Sequence, residues 1–225
     1  MLVSAIKTVT RRILPGGKNF RKLPFGPAAG CTMKLNFHHD LRLFLGLYEI
    51  ETQRWFKALV QPGYRSFDVG GAGGYDALLL SKLSDGGRVM SFECEDDLFS
   101  EMQETFALNP YPIEAVKVFV CDIDDDKHMS LDSAAKKFFV PDFIKLDIEG
   151  AEASALRSAR EIITQRKPNM IVEVHGLDIE QQCLSILKEY GYRPKIVDRQ
   201  RVVSEARVIE HNRWLICEGR DGCAR

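Results

Sequence analysis

Two short segments concentrate the groups that can do chemistry. In Phe143–Ile148 (FIKLDI) and the acid that follows it, Lys145, Asp147 and Glu149 alternate along the chain. In Met170–His175 (MIVEVH), Glu173 and His175 do the same. A period of two puts each set on one face of a strand, and neighbouring strands lie about 4.8 Å apart, so Asp147 and His175 can converge on one hydroxyl if their strands are adjacent. His175 suits the removal of a proton near neutral pH, and Asp147 suits the orienting of His175 or the hydroxyl. A divalent ion is the mechanistic alternative, because Asp147, Glu149, Glu152, Glu173 and His175 are oxygen-rich enough to hold magnesium or manganese beside two substrate hydroxyls. Spacing does not choose between them. A third reading has Lys145 paired with an acid across the sheet and His175 merely ending a strand, since buried charges need partners whether or not chemistry occurs.

A second group of residues reads as a nucleotide site. Arg65–Tyr75 (RSFDVGGAGGY) runs from a short apolar strand into a glycine turn and then a helix, with Gly70, Gly71, Gly73 and Gly74 allowing close approach to a ligand at a helix N-terminus. Asp68 precedes the first glycine by two residues, where its carboxylate faces an ammonium better than a pyrophosphate. That favours S-adenosylmethionine over NAD. Glu93 ends the next strand, about twenty residues beyond the turn, where an acid accepts hydrogen bonds from ribose hydroxyls. Asp122 is placed to take the adenine amino group, with Ile123 against the ring.

These residues need strands that end together, and the pattern supplies them. Strands at Ser66–Val69, Gly87–Glu93, Ala115–Cys121, Phe143–Ile148 and Met170–His175 alternate with helices at Asp76–Leu83, Glu95–Leu108, Asp132–Phe138, Ala151–Gln165 and Ile179–Tyr190. Arg193–Val197 and Trp214–Cys217 close the series. The expected fold is α/β and Rossmann-like: a doubly wound, mostly parallel seven-stranded sheet with a terminal antiparallel hairpin. Upstream, Glu49–Leu59 reads as a helix and the LNFHHDLRLFL run as a strand or hairpin. Residues 61–219 form the expected cofactor-binding domain, and residues 1–60 a basic helix with a cap segment.

The segments FDVGGAGGY, Phe92-Glu93, DFIKLDIEGAE at Asp142–Glu152 and VEVH at Val172–His175 resemble the FkbM family of S-adenosylmethionine-dependent methyltransferases, and GLYE at Gly46–Glu49 is similar to its cap. The resemblance covers residues 46–175. It implies the class I methyltransferase fold, a cofactor site drawn from Glu49, Asp68, Gly70, Gly74, Glu93, Asp122 and Ile123, and transfer to a hydroxyl oxygen of a sugar, polyketide or related metabolite, with Asp147 and His175 at the acceptor. Ala72 stands where family members usually carry Asn. The alternatives are a catalytically silent S-adenosylmethionine-binding protein and an NAD(P)-dependent oxidoreductase, the latter weakened by Asp68 and by Asp76 in place of the last dehydrogenase glycine.

The 225 residues suit one domain, and the six cysteines show neither a zinc spacing nor a disulfide framework. With no run of about 20 apolar residues, no transmembrane segment is expected, and the chain reads as cytoplasmic. Residues 1–39 hold seven Lys/Arg and no acid, which leaves 24 Lys/Arg against 32 Asp/Glu in the remainder and argues against nucleic acid as a partner of the main body. Within the basic segment, Leu2, Val3, Ile6, Val9, Ile13 and Leu14 recur at helical spacing, so residues 1–14 suit peripheral contact with an anionic membrane or docking on the body. Nothing in the sequence specifies the oligomeric state.

Overall fold

The alternation expected after Arg65 is what the chain builds. The computed structural model describes residues 16–199 and 211–219, so the basic segment 1–14 and most of the 199–212 loop lie outside the described residues. A hairpin of Asn19–Lys22 (β1) and Thr32–Leu35 (β2), a single helical turn at Leu41–Phe44 (α1) and the helix Ile50–Leu59 (α2) come first. Then follow Ser66–Val69 (β3), Tyr75–Ser84 (α3), Val89–Glu93 (β4), Asp96–Ala107 (α4) and Ile113–Lys117 (β5). A short pair, Phe119–Val120 (β6) and His128–Met129 (β7), leads to Leu131–Lys137 (α5), Phe143–Leu146 (β8), Glu152–Arg157 (α6) and Arg160–Gln165 (α7). Asn169–Val174 (β9), Leu177–Glu189 (α8), Lys195–Asp198 (β10) and Arg213–Cys217 (β11) complete the order.

The main sheet has the order β10-β11-β9-β8-β3-β4-β5, parallel except for β11, which runs antiparallel to both β9 and β10. β3, β4, β8 and β9 are wholly buried because helices cover both faces. On one face Phe67, Val69, Phe92, Ile144 and Val172 pack under α5 to α8. On the other, Val89, Phe143, Ile171, Trp214 and Ile216 pack under α2, α3 and the β1–β2 hairpin. Strand alternation puts Asp68, Lys145 and Glu173 on this second face, beneath the cap.

Three expectations need correction. LNFHHDLRLFL is not a strand: Asn36 Oδ1 accepts from the His38 amide (3.0 Å) and Asp40 Oδ2 from the Asn36 amide (2.8 Å), which curls the chain into α1 and leaves the hairpin to residues further upstream. The strand expected over Ala115–Cys121 breaks after Lys117, because Phe119–Val120 leaves the sheet to pair with His128–Met129. The helix expected over Ala151–Gln165 divides at Ser158, whose carbonyl and hydroxyl accept from the Asp132 and Leu131 amides, while the Asp132 carboxylate takes the Glu161 and Ile162 amides at the head of α7.

Within the cap, Gly26 and Gly46 cross backbone to backbone, both at positive φ (80° and 69°). A Cβ on Gly46 would lie 2.5 Å from the Gly26 nitrogen. Gly46→Ala therefore adds a clash to a left-handed strain of about 1–2 kcal/mol. Urea titration should show a destabilisation above that strain alone; a loss below about 0.5 kcal/mol would mean that the two segments part freely.

Candidate functional site

Every strand of the parallel set delivers a polar group at or near its carboxyl end, and the densest gathering surrounds Lys145. This lysine is fully buried in β8. Its Nζ lies 3.5 Å from Glu49, 3.8 Å from Asp76, 3.6 Å from Asp147 and 3.5 Å from Glu173. Burial alone would lower its pKa, but the four carboxylates outweigh burial and hold it well above the ordinary lysine value. Glu49 reaches the lysine from the N-cap of α2 in a left-handed conformation (φ 40°), and Asp76 from the first turn of α3.

His175, just past β9, brings the second cation. Its Nδ1 is 2.8 Å from Oε1 of the fully buried Glu152, whose two oxygens also accept from the Gly150 amide. Its Nε2 faces Asp147 (3.6 Å) and Glu173 (3.5 Å). Burial pushes the imidazole down, yet the three carboxylates prevail and hold it up at about 10. The neutral base expected near pH 7 does not fit these surroundings while no cation is bound: the carboxylates then favour the imidazolium. Of the two acids it faces, Glu173 is the ionised one, because although burial acts to raise it, His175 and Lys145 hold it below the usual range. Asn212 Nδ2 (2.6 Å) and Trp214 Nε1 (3.2 Å) also donate to it. Asp147 is pushed well up, first by burial and then by the charge of Glu173.

The glycine turn lies alongside. Gly70 (φ 88°) passes so near β8 that a Cβ would lie 1.7 Å from the Asp147 carbonyl oxygen, and Gly74 (φ 91°) heads α3 against Phe106. Glu93 joins this turn: Oε2 accepts from the Ala72 amide (2.8 Å) and Oε1 from the Cys94 and Glu95 amides (2.8 and 2.9 Å). Ala72 itself sits at φ 42°, a conformation that an L-residue other than Asn or Asp adopts at a cost. Asp68 Oδ2 accepts from Ser91 (2.7 Å), while Oδ1 is buried and takes no hydrogen bond among the described residues.

Asp122 and Ile123 stand apart from this cluster. Asp122 is exposed and held by Ser154 Oγ (2.8 Å) and Arg157 Nε (3.4 Å), and Ile123 is exposed as well. Glu152, expected among the oxygen ligands, stands behind the His175 ring instead, while Asp76 and Asn212 carry site geometry that spacing alone does not announce. An acid opening the helix after the glycine turn was the available signal for Asp76, but Asn212 has none, since it ends the 199–212 loop.

Charge decides what the cluster can hold. Glu49, Asp68, Asp76, Asp147, Glu152 and Glu173 are matched by only two cations among the described residues, Lys145 and His175. Burial pushes Glu49 up to about 8, Asp76 to about 7 and Asp68 to about 6. The site thus favours a cationic ligand, and S-adenosylmethionine, with its sulfonium and ammonium, fits both the excess of carboxylates and the orphaned Asp68 oxygen.

The order of the sheet, with its one antiparallel strand, and the position of the site at the strands' carboxyl ends define the class I, Rossmann-like methyltransferase fold. The model of the Methyltransferase FkbM domain matches residues 125–194, which bears out the FkbM resemblance over that part of the chain. Among solved structures, the FkbM methyltransferase of Methylobacillus flagellatus superposes with a TM-score of 0.57 at 18% identity, over 72% of this chain and 47% of that one; this chain therefore spans about half its length. Fibrillarin from Aeropyrum pernix, solved with natively bound S-adenosyl-L-methionine, gives 0.52 at 13% identity over 70% and 67%. A SAM-dependent O-methyltransferase from Thermotoga maritima gives 0.52 at 14% over 76% and 66%. At such identities these likenesses establish the fold. No curated protein matches the chain by sequence.

The raised carboxyls set a pH dependence. Asp68, Asp76 and Glu49 bind protons more tightly folded than unfolded, so the stability this contributes is complete below about pH 4 and is lost as pH climbs through about 6, 7 and 8. His175, held to about 10, acts in the same direction above its unfolded value of about 6.5. The thermal midpoint of the ligand-free protein should therefore fall between about pH 5 and pH 8. A midpoint that rises across that window would mean that these acids are ionised and fully paired.

Proposed function

We propose that this protein transfers a methyl group from S-adenosylmethionine to a hydroxyl oxygen of a small molecule, a sugar, polyketide or related metabolite. The observation that carries the reading is the meeting of Asp147, Glu173 and His175 beside the glycine turn, in a partly buried site with more acids than cations. Bound S-adenosylmethionine supplies an electrophilic methyl group on a positively charged sulfur. Asp68 receives the ammonium, Gly70 and Gly74 give the backbone its close approach, Glu93 accepts from the ribose, and Glu49 adds negative charge from the cap. Asp122 and Ile123 border the adenine. Asp147 and His175 face the acceptor. The positive charge of the bound cofactor lowers the Asp147 carboxyl, so that Asp147 takes the hydroxyl proton while His175 orients it.

In this reading residues 61–219 bind the cofactor, and residues 1–60 supply the basic helix and the cap segment. The acid excess of the body disfavours nucleic acid as the acceptor. Cys31, Cys94, Cys121, Cys183 and Cys217 are free thiols, which suits the cytoplasm, and no helix among the described residues is long and apolar enough to cross a membrane. A silent cofactor-binding protein is the second reading, favoured by the strained Ala72 in the turn.

Calorimetry should show binding of S-adenosylmethionine and S-adenosylhomocysteine but not of NAD. Glu93→Ala should weaken that binding at least about tenfold, in line with a charge-assisted hydrogen bond of about 1.5–3 kcal/mol. Unchanged affinity removes Glu93 from the site. With labelled cofactor and extracts of the host, His175→Asn and Asp147→Asn should each lower transfer by roughly a hundred- to ten-thousandfold while leaving cofactor affinity within a few-fold. Loss of binding together with transfer would move both residues to the cofactor side.

A further inference from the structure

Glu173 and Asp147 each turn one oxygen to Lys145 and the other to His175. Glu173 Oε2 and Asp147 Oδ2 lie 3.5 and 3.6 Å from Lys145 Nζ, while Glu173 Oε1 and Asp147 Oδ1 lie 3.5 and 3.6 Å from His175 Nε2. The separations at Nε2 are long for hydrogen bonds. They are slightly wider than the about 3.0 to 3.4 Å that separates two ligands about 2.1 Å from one metal at angles of about 90° to 110°, so small side-chain movements would close these donors on an ion. One oxygen from each carboxylate and one imidazole nitrogen all lie within 4.8 Å of one another.

Two features outside this trio point the same way. Glu152 sits behind the imidazole on Nδ1, the arrangement that aims Nε2 of a metal-ligating histidine. Asn212 is only 8% exposed and directs its amide into the same place. Its Nδ2 donates to Glu173 Oε1, and the adjacent Oδ1 is buried with no hydrogen-bond partner among the described residues. A buried acceptor oxygen of this kind calls for a donor or a cation.

We propose that Asp147, Glu173 and His175 form a divalent-cation site, with Glu152 and Asn212 as its outer support. Two carboxylate oxygens and one imidazole nitrogen, with positions left open, suit Mn²⁺ ahead of Mg²⁺, which seldom takes nitrogen. The open positions suit an acceptor that chelates through two oxygens, a vicinal diol or a hydroxy-carbonyl. Lys145 holds the far oxygens of both carboxylates and keeps the near ones directed at the ion. The inference deepens the acceptor site proposed above and rests on that reading for its substrate class, but not for the ion itself.

Mn²⁺ titrated into the folded, ligand-free protein and followed by electron paramagnetic resonance should lose its free-ion signal to one bound ion per chain, with a Kd of about 10 μM. Asp147→Asn and His175→Asn should each weaken uptake at least about tenfold, and Glu152→Gln about ten- to a hundredfold. Circular dichroism on each variant confirms that it is folded, and Glu152→Gln retains an acceptor for Nδ1. No uptake up to about 1 mM, or unchanged uptake in both Asp147→Asn and His175→Asn, overturns the site. Calorimetry with S-adenosylmethionine on the same sample separates the two readings. Cofactor bound without Mn²⁺ uptake sinks the ion site alone, whereas Mn²⁺ uptake without cofactor binding leaves the ion site standing and removes methyl transfer.

Discussion

A lysine ammonium with no access to water is tolerable only when carboxylates surround it, and that constraint at Lys145 governs the rest of the structure. The acids come from four places in the chain: the cap at Glu49, the helix after the glycine turn at Asp76, the lysine's own strand end at Asp147 and the neighbouring strand at Glu173. Each is anchored by backbone with little freedom. Glu49 holds a left-handed φ, and Asp147 is pinned by its amide to the Val69 carbonyl while its own carbonyl abuts Gly70. Removing one acid would leave a buried charge partly unpaired, so the cap, the turn and the sheet hold one another in register through a single side chain.

The surplus of acid over base is the complementary fact. A core that places Asp68 and Glu152 near an already acid-rich centre bears a repulsion that only protons or bound cations relieve. The free and liganded proteins therefore differ in electrostatic energy even where no backbone moves, and binding energy can come from charge that folding left unbalanced.

Much of this arrangement was legible in the sequence for a definite reason. β3 and the glycine turn, Glu93, and the alternation of Lys145 with Asp147 and of Glu173 with His175 are local patterns of period two or fixed turns, and such patterns survive folding unchanged. What could not be read depends on contacts between distant segments. The charge state of His175 depends on Glu152, 23 residues away in sequence but adjacent in space. The departure of Phe119–Val120 from the sheet depends on Lys127 and Met129. The break at Ser158 arises because α5 borrows its carbonyl and hydroxyl, a demand invisible in the helical periodicity of residues 151–165.

β11 slots antiparallel between β9 and β10, and its Trp214, with the preceding Asn212, supplies two of the donors on Glu173. During synthesis every other element of the sheet is already made before β11 emerges, and Glu49 has by then been waiting since the cap. The candidate site is thus assembled by contacts that span most of the described residues, the kind that form slowly. Without β11 the edge of β9 would be open to mispairing and Glu173 would lack these donors, so the strand that closes this side of the sheet also completes the surroundings of the acid.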